Sequence, residues 1–249
     1  MVYFIGAGPG DVDLITVKGR DILTKCDVVI YAGSLVSNKH IVFCKEGVEI
    51  HNSASMTLED VLLVMKTAED TGKTVVRLHT GDPAIYGAIK EQMDELDKLN
   101  ISFEVIPGVS SFSAAASAIK KEFTLPGVTQ TVILTRVEGR TPVPERENLE
   151  NLAKIGASMA IFLSIGMIDK VVEKLRRGYE RNVPVAVVER ATFEDERCII
   201  GTLDDISEKV KAANITKCAQ ILVGDFIDCE YEKSLLYDKS FTHMFSEGK

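Results

Sequence analysis

Short runs of valine and isoleucine alternate with amphipathic stretches along the first 120 residues of the chain. The runs at 2–6, 27–31, 48–51, 74–79 and 102–106 read as strands, short, β-branched and bounded by turn residues. Residues 17–25, 58–70 and 88–99 carry helical spacing between them, with Leu58, Val61, Leu62 and Met65 on one face. An alanine-rich stretch at 113–120 reads as the last helix of this half. Such alternation predicts a parallel sheet covered on both sides and joined by right-handed crossovers.

The pattern breaks at Lys120-Lys121-Glu122-Phe123-Thr124-Leu125-Pro126-Gly127, where charges and a Pro-Gly pair predict a linker. Beyond it come strands at 131–135, 159–164, 184–189, 198–202 and 219–224, with helices at 169–178 and 203–213. More strand and less regular alternation predict a mixed sheet. The expected organisation is two α/β domains: a doubly wound parallel sheet over 1–120 and a mixed sheet with helices over 121–230. Residues 231–249 carry little periodicity and read as a peripheral tail.

Composition narrows the function classes. A net charge of −8 argues against a nucleic-acid partner, though not against an anionic small molecule met by local cations. No apolar run approaches the roughly 20 residues that span a bilayer, and the first residues read as a strand rather than a leader, so no membrane partner is expected. The five cysteines show no CxxC spacing, which reads as free thiols in a reducing compartment, the cytoplasm by default. The four histidines repeat no ligand spacing, and no protein-bound metal is expected.

Three glycine- and proline-rich turns carry the chemistry. Gly6-Ala7-Gly8-Pro9-Gly10-Asp11, Thr80-Gly81-Asp82-Pro83-Ala84-Ile85-Tyr86-Gly87 and Pro107-Gly108-Val109-Ser110-Ser111 each follow a predicted strand and precede a predicted helix. Open α/β sheets bind small molecules at such strand ends. The first turn departs from the dinucleotide fingerprint: Asp11 replaces its third glycine, Pro9 removes a backbone donor, and the second strand ends without a carboxylate. Asp82 and Ser110 read equally as helix caps when each is taken alone.

In that order, on a chain of this length, the three motifs resemble the tetrapyrrole methylase family, which transfers methyl groups from S-adenosylmethionine. Residues 129–145 and 31–37 resemble its corrin-pathway branch, which methylates precorrin-4 or cobalt-precorrin-4 at carbon 11. The likeness runs from Val2 to about Gly224. It implies a homodimer of two-domain α/β subunits with the cofactor in the gap between domains. Carried over residue by residue, it implies cofactor contacts at Pro9, Gly81, Asp82, Ile85, Ser110, Ser111, Leu163 and Ala191, and more loosely at Ala219-Gln220-Ile221. The family also admits methionine and glycine at Leu163 and Ala191, so the contacts implied there are backbone ones.

Methyl transfer from a sulfonium to an electron-rich ring carbon asks mainly for positioning. Asp82 and Tyr86 are the only candidates for moving a proton. A tetrapyrrole rich in carboxylates calls for cations and donors, offered by Arg136, Arg140, Lys39 and His79, with His40 and Arg77 behind them. A lone histidine at a strand end reads equally as an interior residue. Two other readings stay open: a relative acting on a different precorrin or on uroporphyrinogen III, and a corrinoid-binding protein without turnover.

Overall fold

A computed structural model of the chain describes residues 1–33, 36 and 38–234. Residues 34, 35 and 37 of the 31–37 stretch, and 235–249 of the expected tail, lie outside the described residues. The chain forms two compact units: Met1–Ala114 with Arg190–Asp195, and Ala115–Glu189 with the chain from Glu196 onward.

The first unit holds β1 (Val2–Gly6), α1 (Val17–Leu23), β2 (Val28–Tyr31), β3 (Glu49–Asn52), α2 (Leu58–Asp70), β4 (Val75–His79), α3 (Ile89–Lys98), β5 (Phe103–Ile106) and the start of α4 (Ser111–Ala118). All five strands run parallel in the order β3-β2-β4-β1-β5. Every residue of β4 is buried, as in a strand covered on both faces, Arg77 and His79 included. Val2, Phe4 and Val75 pack with Val61 and Met65 of α2 and Leu96 of α3; Ile5, Val76 and Leu78 pack on the other face with Leu23 of α1. Thr57 starts α2 through a capping box with Asp60, worth about 1 kcal/mol. Because β1 lies between β4 and β5, the three turns singled out above emerge side by side.

The second unit holds β6 (Val132–Arg136), α5 (Leu149–Ala153), β7 (Ser158–Phe162), α6 (Ile168–Gly178), β8 (Pro184–Glu189), β9 (Arg197–Thr202), α7 (Ile206–Ala212) and β10 (Ala219–Val223). The strand order is β6-β7-β10-β8-β9, with β6 and β7 parallel and β10 antiparallel to both its neighbours. The sequence pattern predicts no helix between 136 and 158. Parallel β6 and β7 need a crossover there, and α5 lies within it, too short to show a period. No helix among the described residues is long and apolar enough to cross a membrane.

Candidate functional site

Gly8 and Gly81 join the first two turns as an isolated antiparallel bridge. Gly81 N donates to Gly8 O at 2.8 Å, and Ala7 N donates to His79 O at 2.7 Å. Beneath the bridge the third turn comes in at backbone contact. A Cβ placed on Gly108 would stand 2.1 Å from Gly81 O and 2.7 Å from Gly6 Cα. Asp82 ties the same junction through its side chain: Oδ2 accepts from Gly108 N at 2.9 Å and Oδ1 from Ala84 N at 2.8 Å. Ile85 N donates to Asp82 O at 3.2 Å, and Ser110 O accepts from Ser113 N and Ala114 N where α4 begins. Pro9 and Ser110 are buried, while Ile85 and Ser111 are half-buried. Pro9, Gly81, Asp82, Ile85, Ser110 and Ser111 thus stand on three linked loops at the carboxyl ends of β1, β4 and β5.

Sequence reasoning missed what holds the first turn from its other side. The segment Arg190–Asp195, which follows β8, packs within the first unit. Thr192 Oγ1 accepts from Asp11 N at 3.0 Å, and the Phe193 ring covers Gly10 close to Ala191 O. The Arg190 guanidinium stacks 4.1 Å from the Phe193 ring centroid and pairs with Asp195 at 2.6 Å. Ala191, 7% exposed, therefore lies beside the first turn. Buried His40 approaches from a 3₁₀ turn and donates from Nε2 to Ala7 O at 2.9 Å. Lys39 pairs with Glu194 at 2.6 Å, so its ammonium already faces a carboxylate.

Backbone strain marks the same loops. Asn100, Lys120 and Asn214 have positive φ at helix ends, where N–H groups of Ile101, Lys121 and Ile215 reach back to Leu96 O, Ala116 O and Val210 O. That geometry accounts for those three. Tyr86 after β4, Leu163 after β7, and Arg190 and Thr192 after β8 have φ between 50° and 68° with no helix end to explain it, and Ala88, the N-cap of α3, has φ 49°. Each costs on the order of 1–3 kcal/mol and persists only where its surroundings impose it. Tyr86 is 45% exposed on the loop it shares with Asp82.

Arg77 and His79 lie on β4, two residues apart on the face toward α2 and α3, and both are buried. Arg77 donates to Ile30 O at 3.3 Å and to Gln92 Oε1 at 3.4 Å, and burial lowers its pKa to about 10. Burial, and then the Arg77 charge, push His79 down to about 3, so its ring is neutral at physiological pH. Its Nε2 meets no hydrogen-bond partner among the described residues. The interior reading of this histidine is the one its burial matches. The sign of the linkage follows: below the ordinary histidine value near 6.5 the unfolded chain takes a proton that the folded chain refuses. Stability from this group is full above about pH 6.5 and is lost as pH falls toward 3. Replacing His79 with Phe is expected to flatten the acid limb, sparing about 2 kcal/mol at pH 5 relative to the parent. Urea unfolding of both proteins from pH 7.5 to 4.5 checks this; parallel curves would refute it.

In the second unit, register puts Arg136 opposite Phe162 and Glu189 opposite Ala219. The ends of β6, β7 and β8 and the start of β10 therefore share one edge of the sheet, where Leu163 stands 67% exposed. Buried Ser164 binds two of these ends, accepting from Val137 N at 2.9 Å and donating to Phe162 O at 2.6 Å. Arg136 turns its guanidinium onto its own loop, donating to Pro142 O at 2.7 Å and Thr141 O at 3.2 Å. Glu138 braces the loop base between Lys174 and Lys170 at 2.9 and 3.0 Å, and these ammonium groups hold its pKa near 2. Arg140 is exposed in that braced loop.

Known proteins resemble this chain in sequence and fold. The cobalt-precorrin-4 C(11)-methyltransferase of Methanocaldococcus jannaschii is 55% identical over 249 residues, covering 99% of this chain and 96% of that protein. The precorrin-4 C(11)-methyltransferase of Pseudomonas aeruginosa is 43% identical over 249 residues, covering 100% and 99%. Among solved structures, an X-ray structure of a cobalt precorrin-4 methyltransferase superposes with a TM-score of 0.89 at 48% identity, covering 92% of this chain and 96% of that one. The uroporphyrin-III C-methyltransferase of Thermus thermophilus, complexed with S-adenosylhomocysteine, gives 0.76 at 27% identity, covering 93% and 95%. A family model described as Tetrapyrrole (Corrin/Porphyrin) Methylases matches residues 1–207, and with it the three linked turns. This chain belongs to the tetrapyrrole methylase family.

Proposed function

We infer that the protein methylates carbon 11 of precorrin-4 or its cobalt form, using S-adenosylmethionine, in the assembly of the corrin ring. The observation that carries the reading is the junction of the three turns, where glycines leave bare backbone at adjacent strand ends and two serines open a helix. Relatives at 43–55% identity bearing that activity in their names support the acceptor. Homodimeric assembly and a cytoplasmic location belong to the same reading.

Gly6 and Gly108 let the turns pack backbone to backbone, since a Cβ on either would collide with the neighbouring turn, whereas a Cβ on Gly81 would meet nothing closer than 3.6 Å, so that Gly81 and the hydroxyls of Ser110 and Ser111 would line an extended polar cofactor. When bound, S-adenosylmethionine supplies an electrophilic methyl on a sulfonium, so the protein need not create a nucleophile or hold a metal. Pro9, Gly81, Asp82, Ile85, Ser110, Ser111 and Ala191 would hold it. Asp82 acts by fixing Gly108 and Ala84, and the strained 86–88 segment sets where Tyr86 stands. Positioning of this kind is worth roughly 7–11 kcal/mol of barrier. Arg140 would meet the acceptor's carboxylates, presented on a loop that Arg136 and Glu138 hold in shape.

S-Adenosylhomocysteine at about 100 times its Kd is expected to stabilise the protein by roughly 2.7 kcal/mol, and NADH not at all. Purified precorrins incubated with labelled S-adenosylmethionine test the acceptor. Label is expected in precorrin-4 or cobalt-precorrin-4; methylation of an earlier intermediate alone would overturn the assignment.

A further inference from the structure

The strap Arg190–Asp195 belongs to the first unit and lies against the end of its first turn. It holds two left-handed residues that are not glycine, Arg190 at φ 50° and Thr192 at φ 68°. For a β-branched residue such as threonine that conformation is an outlier, kept only where its surroundings impose it. The strained residue puts its hydroxyl to use: Thr192 Oγ1 accepts from Asp11 N at 3.0 Å, while Asp11 Oδ1 accepts from Asp13 N at 3.0 Å. Beside it, a Cβ on Gly10 would stand 2.3 Å from Phe193 Cδ2 and 2.8 Å from Ala191 O, so a glycine there lets the strap close on the turn. Arg190 stacks on the Phe193 ring, and Phe193 N donates to Arg190 O at 2.9 Å. A second arm reaches the same turn where His40 donates to Ala7 O, and the Lys39–Glu194 ion pair joins the two arms. Both members of that pair are exposed, so it adds little to the hold.

We propose that Thr192 is a positioning residue for cofactor binding: its hydroxyl fixes the Asp11 amide and, with Phe193 over Gly10, holds the first turn in the shape that accepts S-adenosylmethionine. The proposal rests on the reading of the three turns given above. Gly6, Gly8 and Gly10 leave that turn many conformations, and Pro9 restricts it at one φ alone. The second and third turns pin it at Gly6 and Gly8; the strap pins the Gly10–Asp11 end. Without that pin the end samples other conformations, and each binding event must reorder it, which lowers affinity. Thr192 acts through Asp11 and not through the reacting atoms, so its effect falls on KM for S-adenosylmethionine rather than on kcat.

Full-length variants test this against the parent. Thr192→Val keeps the branched shape and the backbone strain but removes the acceptor, whereas Thr192→Ser keeps the acceptor. Thr192→Val is expected to weaken S-adenosylhomocysteine at least about tenfold in calorimetric titration and to raise KM for S-adenosylmethionine alike, with kcat within about threefold. Thr192→Ser is expected to stay within about threefold of the parent in all three. Hydrogen exchange of the ligand-free protein over residues 8–13 is expected to run at least about tenfold faster in Thr192→Val. Phe193→Leu breaks no hydrogen bond and stands in should Thr192→Val not fold; its affinity is expected to fall about three- to tenfold. A parent that does not bind S-adenosylhomocysteine would overturn the reading of the three turns, and the proposal with it. Where the parent binds, an unchanged affinity in Thr192→Val or Phe193→Leu, equal losses in Thr192→Val and Thr192→Ser, or a fall in kcat with KM unchanged would overturn the proposal alone.

Discussion

Gly108→Ala is expected to weaken S-adenosylhomocysteine binding at least ~100-fold while leaving a folded chain. The added methyl would sit 2.1 Å from Gly81 O and 2.7 Å from Gly6 Cα. Both neighbours are backbone atoms of other turns, so no side chain can swing aside. One of the turns must move, and overpacking of this kind costs about 1–3 kcal/mol of stability. Binding suffers as well, because all three loops share the junction. We expect affinity to fall at least ~100-fold, equivalent to about 2.7 kcal/mol. Calorimetric titration with S-adenosylhomocysteine, beside a urea melt, measures both quantities. An affinity within about threefold of the parent would show that the junction does not shape the cofactor site.

Asp82→Ala gives the second large effect and separates two roles for that carboxylate. Its oxygens are occupied by Gly108 N and Ala84 N, which makes it a clamp between two turns. Alanine leaves both N–H groups without their acceptor, at about 1–3 kcal/mol for a buried one. Asparagine restores one acceptor and sets an NH2 against the other donor. A clamp predicts that KM for S-adenosylmethionine rises about 10–100-fold in Asp82→Ala, less in Asp82→Asn, with kcat changed by less than about threefold. A proton-transfer role would instead collapse kcat in both variants with KM nearly unchanged. Steady-state kinetics with a saturating acceptor decide between them.

The first sheet was legible because its signals are local. Val75–His79 sets three apolar residues around Arg77 and ends on His79, and α2 matches its predicted span of 58–70 because Thr57 and Asp60 fix its start. Legibility ended where pairing is distant in sequence. Nothing near Ala219 indicates that β10 inserts between β7 and β8, since antiparallel order is set by which edges remain after folding. The three motif turns could be named from the sequence, yet their bonds could not. Asp82 reads as a simple cap until Gly108 is seen 2.9 Å away. Arg136 reads as an anion receptor because its partners, the carbonyls of Thr141 and Pro142, leave no mark in side-chain chemistry.

The bond from Asp11 N to Thr192 Oγ1 links positions 181 residues apart, and this has a bearing on synthesis. A ribosome adding about 5–20 residues per second leaves the amide of Asp11 waiting roughly 10–40 s for its partner to be translated. For the last part of that interval, once β5 (Phe103–Ile106) has been made, all strands of the first sheet are present while the first turn still lacks Thr192 and Gly10 the Phe193 ring. The first unit is therefore completed late in the life of each newly made molecule, only after most of the polypeptide has emerged.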